Sequence, residues 1–155
     1  MKQKAKIILP WIVVAILIVV DRFLKDFFLV KSQEEIFIFG DLLKLKLAYN
    51  TGLAFSLPVN RYLVVTVSIV ILFFMIWFLV KEIKSKNYWR QFFWLLAIGG
   101  AVSNFYDRLV LGKVIDYLSV KYYSVLNLAD VMICLGVIGL IVVKWKQESV
   151  GIDKK

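Results

Sequence analysis

The sequence predicts an α-helical integral membrane protein with four transmembrane helices and a small outer β-element, forming one membrane-embedded domain over residues 1–155. Three observations predict it. Hydrophobic residues make up 61% of the chain and the mean hydropathy is +0.80, far beyond an ordinary soluble domain. Four apolar stretches, 7–30, 62–80, 92–111 and 125–143, each come close to the roughly 20 residues needed to cross a hydrocarbon core. The charged residues that interrupt this pattern gather near the helix ends.

The first stretch follows a basic start, Met1 to Lys6, which resembles a cleavable secretory leader. No small-residue cleavage site follows Val20, however, and the chain continues through Asp21, Arg22, Lys25 and Asp26 into more apolar sequence, so a retained first helix is expected. Between the first two spans, Leu43-Lys44-Leu45-Lys46-Leu47-Ala48-Tyr49-Asn50 alternates apolar and polar side chains, which is the period of a strand. Gly40-Asp41 and Asn50-Thr51-Gly52 supply turns on either side, placing a β-element over 36–57. The second span reads as scaffold. In the third, Gly99-Gly100-Ala101 allows close helix packing, which makes that helix central. The short link from Leu111 to Leu126 carries Asp116 and three tyrosines, Tyr117, Tyr122 and Tyr123, residues suited to the aromatic belt at a membrane interface.

Basic residues in short loops mark the cytoplasmic side. With both termini inside, the inner segments carry Lys2, Lys4, Lys6, Lys81, Lys84, Lys86, Arg90, Lys144, Lys146, Lys154 and Lys155 against Glu82, Glu148 and Asp153. Topology and attraction to anionic membrane lipids therefore explain the net charge of +9, and nucleic acid is not an expected partner. The chain has no His and a single Cys, Cys134, read as a small packing hydrophobe. No internal disulfide is possible, a metal site or other cofactor is not expected, and Ser-His or Cys-His triads are excluded.

An ionisable side chain at membrane depth is costly, so each one calls for a reason. Asp21 and Lys25 share a helix face, as do Asn104 and Arg108, with Gly100 one turn earlier. Asp21 and Lys25 can neutralise each other, or can hold a headgroup or the outer loop. Arg108 can snorkel to water or aim donors at a substrate. Asn127 and Asp130 have the spacing of a helix N-cap and an acidic third residue. That motif alone does not explain a second acid, Asp116, a short loop away. Two neighbouring carboxylates can share one proton, the ionised member taking a proton from water while the protonated member polarises a carbonyl. This is aspartyl protease chemistry, and it belongs to the pair.

These residues resemble the lipoprotein signal peptidases, the signal peptidase II family, along nearly the whole chain. Asp21 and Lys25 are similar to the family's D-x-x-x-K, and Asn50-Thr51-Gly52-Leu53-Ala54-Phe55-Ser56 to its N-x-G-x-A-F-S. Gly99-Gly100-Ala101 through Asn104, Asp107 and Arg108 resembles G-G-A-x-x-N-x-x-D-R. Val114-Ile115-Asp116-Tyr117 and Asn127-Leu128-Ala129-Asp130 resemble the blocks that carry the two catalytic acids. The resemblance implies an extracytoplasmic β-cradle and a monomer of the bacterial inner membrane. It also implies cleavage of prolipoproteins just before a diacylglyceryl-modified cysteine, with the substrate's lipid between helices. Asp116 and Asp130 would be catalytic; Asn50, Gly52, Asn104, Arg108 and Asn127 would bind substrate; Asp21, Lys25 and Asp107 would support the site. Two positions depart from the pattern: Leu126 where Phe is frequent, and Ser103 where Gly is common. The loop between the two acids is also short.

Two rivals use the same residues. A proton-conducting transporter would spread its acids through the membrane depth, whereas here they cluster at one boundary. A Ser-Lys peptidase would use Ser56 or Ser103 as nucleophile and Lys25 as base, and would survive Asp116→Asn.

Overall fold

The computed structural model describes residues 2–31, 35–51, 60–85 and 87–152. Four helices, α1 (Lys2–Val30), α2 (Arg61–Ser85), α3 (Tyr88–Val110) and α4 (Leu128–Ile152), accompany four strands, β1 (Ile36–Phe39), β2 (Leu43–Asn50), β3 (Val114–Val120) and β4 (Val125–Leu126). The strands form one antiparallel sheet in the order β1-β2-β3-β4.

Among the described residues, three helices are long and apolar enough to cross a membrane, over Ile7–Val30, Arg61–Lys84 and Leu128–Ser149. They display large apolar side chains outward, including Leu9, Ile16 and Phe23 on α1, Phe73 and Ile76 on α2, and Leu135, Ile138 and Ile141 on α4. In water such a surface would aggregate; against lipid it costs nothing. The chain is thus a multi-pass membrane protein. Cys134 also sits on this outward surface of α4, so it does not fill the core as expected from its sequence context.

Helix α3 is the exception because its polarity faces inward. It packs against α4, α2 and α1, and it buries Gln91, Ser103, Asn104 and Asp107 along with Gly99 and Gly100. A helix enclosed by neighbours can afford polar side chains that a lipid-facing helix cannot. Its apolar contribution, Leu95 and Leu96, joins Val14, Leu79 and Met132 in a core to which all four helices contribute. At its start, the Asn87 side chain caps the helix by accepting from Arg90 N at 3.2 Å, and Gln91 Nε2 donates to Glu82 O at 3.0 Å across the turn from α2.

Close approach of α3 and α4 depends on glycine from both sides. A Cβ at Gly100 would lie 2.2 Å from the Ala129 carbonyl oxygen, and one at Gly136 would lie 2.7 Å from the Phe93 carbonyl oxygen. Both obstacles are backbone, so neither can swing away. Gly100→Ala is therefore expected to push the start of α4 outward, with an overpacking cost of about 1–3 kcal/mol. A thermal unfolding midpoint in detergent equal to that of the native protein would refute this close-packing argument.

Helices α1, α2 and α3 overlap the expected stretches 7–30, 62–80 and 92–111, whereas α4 runs Leu128–Ile152 in place of 125–143. Residues 125–126 instead form β4, which closes a hairpin with β3. The link from Leu111 to Leu126 is thus mostly sheet. Its first strand has Val114, Ile115, Asp116 and Tyr117 all buried, with β2 and β4 paired along its edges and α1 and α3 packed against it. Burial on both faces erases the alternation by which a strand is recognised. The outer β-element expected over 36–57 holds β1 and β2, and residues 52–57 lie outside the described residues.

Candidate active site

The site lies where the sheet meets the helix ends. Along α1, Val14, Asp21, Lys25 and Phe28 are buried on one face, and along α3, Gly100, Ser103, Asn104 and Asp107 are. Both sets follow the i, i+3, i+4, i+7 spacing of a single helix stripe. Where the stripes meet, apolar packing gives way to an ion cluster. Lys25 is fully buried, and its Nζ donates to Asp21 Oδ2 at 2.9 Å, to Asp107 Oδ2 at 2.8 Å and to Asn104 Oδ1 at 2.9 Å. An ammonium has three hydrogens, and all three are used. Arg22 pairs with the other oxygen of Asp107. Asp21 and Lys25 are both fully buried and form the ion pair that mutual neutralisation requires.

Asp21 accepts far more than Lys25. Ser103 Oγ donates to its Oδ2 at 2.5 Å, and Tyr117 Oη and Ala129 N donate to its Oδ1 at 3.1 and 3.2 Å. The serine that departs from the resembled pattern thus closes a bond to the cluster. Tyr117 itself is only 3% exposed and stacks on Phe28 at 5.5 Å between ring centres, so it is not part of an interfacial belt. Tyr122 and Tyr123 are exposed and remain compatible with one.

Asn127 links the two acids. Its Nδ2 lies 2.7 Å from Asp116 Oδ1 and 3.0 Å from Asn104 Oδ1. Its Oδ1 accepts from Asp130 N at 2.8 Å, while its own N donates to Asp130 Oδ2 at 3.2 Å. This is the reciprocal capping box anticipated from the spacing. Asn104 Nδ2 donates to Asp130 Oδ1 at 2.7 Å, and the Asn50 side chain hydrogen-bonds to Asp116. Asp116 sits on β3 and Asp130 in the first turn of α4, so strand, helix cap and α3 together bring the two carboxylates onto one shared partner, Asn127.

Arg108 lies within electrostatic reach of Asp130, Asp116 and Asp107. Its Nη1 makes one long bond, 3.4 Å, to Asn104 O, and its Nε is buried with no acceptor among the described residues. A buried donor that lacks a partner carries a cost, and it is available to any carbonyl that enters the pocket. Gly52 and Ser56 lie outside the described residues. Arg22, Ser103 and Tyr117 are not among the site residues expected for an aspartyl enzyme, Ser103 entering only as the nucleophile of the Ser-Lys rival. The first two share helix faces with residues that are, and Tyr117 is the strand neighbour of Asp116.

The Asp116 carboxyl is pushed up to about 6, first by burial and then by the charge of Asp130, against the opposing pull of Asn127, Lys25 and Asn50. The sign for stability follows. Between about 4 and 6 the folded protein holds this proton and the unfolded chain releases it, so stability falls as pH rises through that window. Asp116→Asn removes the penalty. The variant is expected to unfold at a higher temperature than the native protein at pH 8, with the difference shrinking as pH falls below about 6 and absent below about 4. A gap independent of pH would refute the burial of an ionisable Asp116.

The family described as Signal peptidase (SPase) II matches residues 13–146. The chain is similar to a lipoprotein signal peptidase of Pseudomonas aeruginosa (strain UCBPP-PA14), 33% identical over 157 residues and covering 92% of each chain. It is similar also to one from Halothermothrix orenii, 36% identical over 144 residues, covering 91% of this chain and 98% of that protein. In fold it resembles a bacterial membrane enzyme solved by the in meso method at 2.3 Å resolution, with a TM-score of 0.81 and 23% identity, covering 90% of this chain and 89% of that one.

Proposed function

Because the chain belongs to the signal peptidase II family, and is therefore a membrane protease that removes signal peptides from prolipoproteins, we propose that it does so by an aspartyl dyad cutting before a diacylglyceryl-modified cysteine. The observation that carries the mechanism is the junction at Asn127, where one residue bonds to both Asp116 and Asp130.

In the singly protonated pair, the ionised carboxylate takes a proton from water as the water oxygen attacks the scissile carbonyl carbon. The other carboxyl gives its proton to the carbonyl oxygen, producing a neutral tetrahedral diol. In the collapse one diol hydroxyl gives its proton to the now ionised carboxylate as the carbonyl re-forms, the C–N bond breaks, and the carboxyl that took the water proton delivers it to the departing cysteine amine. General acid–base catalysis of this kind requires nearby groups that exchange protons near working pH. Asn104 and Asn127 hold the acids in place, and Asn50 bonds Asp116 from β2. Arg108 Nε, which has no acceptor among the described residues, donates to a substrate carbonyl, and Gly52, outside those residues, is assigned to substrate binding by its place in the N-x-G-x-A-F-S segment. Asp21, Lys25 and Asp107 form the support beneath. No step requires a metal or cofactor.

In the membrane, α3 serves as the fourth span, enclosed by the other three, in a single domain over 1–155 that acts as a monomer. Both termini face the cytoplasm and the sheet lies on the outer face of the cell membrane, with substrate acyl chains between helices. A Ser-Lys alternative built on Ser103 and Lys25 is disfavoured by two contacts. The Ser103 hydroxyl donates to Asp21, and Lys25 donates three bonds at once, so it has no lone pair to act as base.

The test is to incubate the purified protein in detergent with diacylglyceryl-modified prolipoprotein and to map the products by mass spectrometry. A cut directly before the modified cysteine is expected. Cleavage elsewhere, or equal cleavage of the unlipidated precursor, refutes the proposed specificity.

A further inference from the structure

We infer that Tyr117 is a positioning residue for the dyad: its hydroxyl ties β3, which carries Asp116, to the start of α4, which carries Asp130, and to α1 beneath. The inference rests on the dyad reading above. Adjacent strand residues point to opposite faces, so while Asp116 faces Asn127 and Asn50, Tyr117 faces the helices. Its hydroxyl donates to Asp21 Oδ1 at 3.1 Å and accepts from Leu128 N at 3.0 Å. Asp21 Oδ1 also accepts from Ala129 N at 3.2 Å.

A helix leaves its first N–H groups without intrahelical partners. At the start of α4, the N–H groups of Leu128, Ala129 and Asp130 are taken in turn by Tyr117 from the sheet, Asp21 from α1 and the Asn127 cap. The first turn of α4 is thus fixed by groups from two other elements as well as its own cap. Of the three, the phenol belongs to the residue that directly follows a dyad acid, Asp116, in the chain. Burial first and then the Asp21 charge push the phenol well above its usual range, so it stays protonated and a donor across the working range. Stacking on Phe28 fixes the ring, leaving the hydroxyl a single position.

Losing the hydroxyl leaves Leu128 N without its acceptor and lets strand and helix drift apart. The charges facing Asp116 are Asp130 from α4, Lys25 from α1 and Arg108 from α3. Of these, the Asp130 charge raises the Asp116 carboxyl, and separation weakens it. The shared proton would then be lost at lower pH.

The experiment compares native protein, Tyr117→Phe and Tyr117→Leu in detergent, measuring kcat and KM for a diacylglyceryl-modified prolipoprotein from pH 5 to 9, with Asp116→Asn as control. For Tyr117→Phe the expected result is a kcat about tenfold lower, KM within twofold, and an alkaline limb displaced to lower pH. Tyr117→Leu, which also loses the ring, should show the same kcat and pH change with a lower unfolding temperature. A Tyr117→Phe variant with native kcat and pH profile overturns the inference. So does one whose activity falls only in parallel with its folded fraction, with the pH profile unmoved. An active Asp116→Asn control would instead sink the dyad reading itself, a failure distinct from either.

Discussion

Asn in place of either Asp116 or Asp130 is expected to lower prolipoprotein cleavage by about a thousandfold or more while leaving the fold intact. The geometry makes the second half of that statement as specific as the first. At position 130, an Asn retains a carbonyl oxygen to accept from Asn127 N or Asn104 Nδ2, so the capping box survives in part. At position 116, the amide can still accept from Asn127 Nδ2. Neither variant can share a proton as a carboxyl pair does. Because the Asp116 carboxyl is raised to about 6, its replacement should also stabilise the protein at pH 8, so activity and stability move in opposite directions. A catalytic residue held at an energetic cost behaves this way, and a structural one does not. The rates are read as kcat/KM against native protein, with unfolding temperatures in the same detergent. If both variants keep cleavage within tenfold of native, the aspartyl mechanism is wrong.

That these polar residues stood out at all in the sequence has a physical cause. In a chain whose surface must be apolar, every carboxylate near a span stands out, and Asp21, Asp107, Asp116 and Asp130 were visible as residues needing partners. Helix periodicity placed Asp21 with Lys25, and N-cap spacing placed Asn127 with Asp130. What could not be read were contacts between elements. Nothing local indicates that Lys25 reaches Asp107 on another helix, or that Ser103 serves Asp21. Strand β3 escaped because both its faces are covered, and with it went the true position of Tyr117, whose chemical type fits a membrane interface equally well. Helix α3 is the reverse case. Its inward polarity lowers the hydropathy by which spans are recognised, yet the same polarity makes it the centre of the site.

Lys25→Met is expected to be the most destabilising single substitution in the cluster. The side chain is fully buried and its ammonium lies between two fully buried carboxylates. Removing one partner of a buried pair leaves an uncompensated charge, at a cost of about 3–5 kcal/mol, and here two carboxylates lose their shared cation. Arg22 still reaches Asp107, whereas Asp21 keeps only neutral donors: Ser103, Tyr117 and Ala129 N. Asp21 therefore carries most of the loss. That assignment gives a cycle its sign: adding Asp21→Asn to Lys25→Met should recover part of the stability, because it removes the charge left behind. Adding Asp107→Asn should recover less, since Arg22 already compensates that site and would itself be left unpaired. The measurement is thermal unfolding in detergent of the native protein, Lys25→Met and the two double variants. A Lys25→Met protein as stable as native would show that the ion cluster does not hold the helices together. Equal recovery from the two double variants would show that Asp21 is not its most dependent member. Through Ser103, Tyr117 and Ala129 the same carboxylate reaches α3, β3 and α4, so a loss that begins at Lys25 is expected to appear in catalysis before the bundle unfolds.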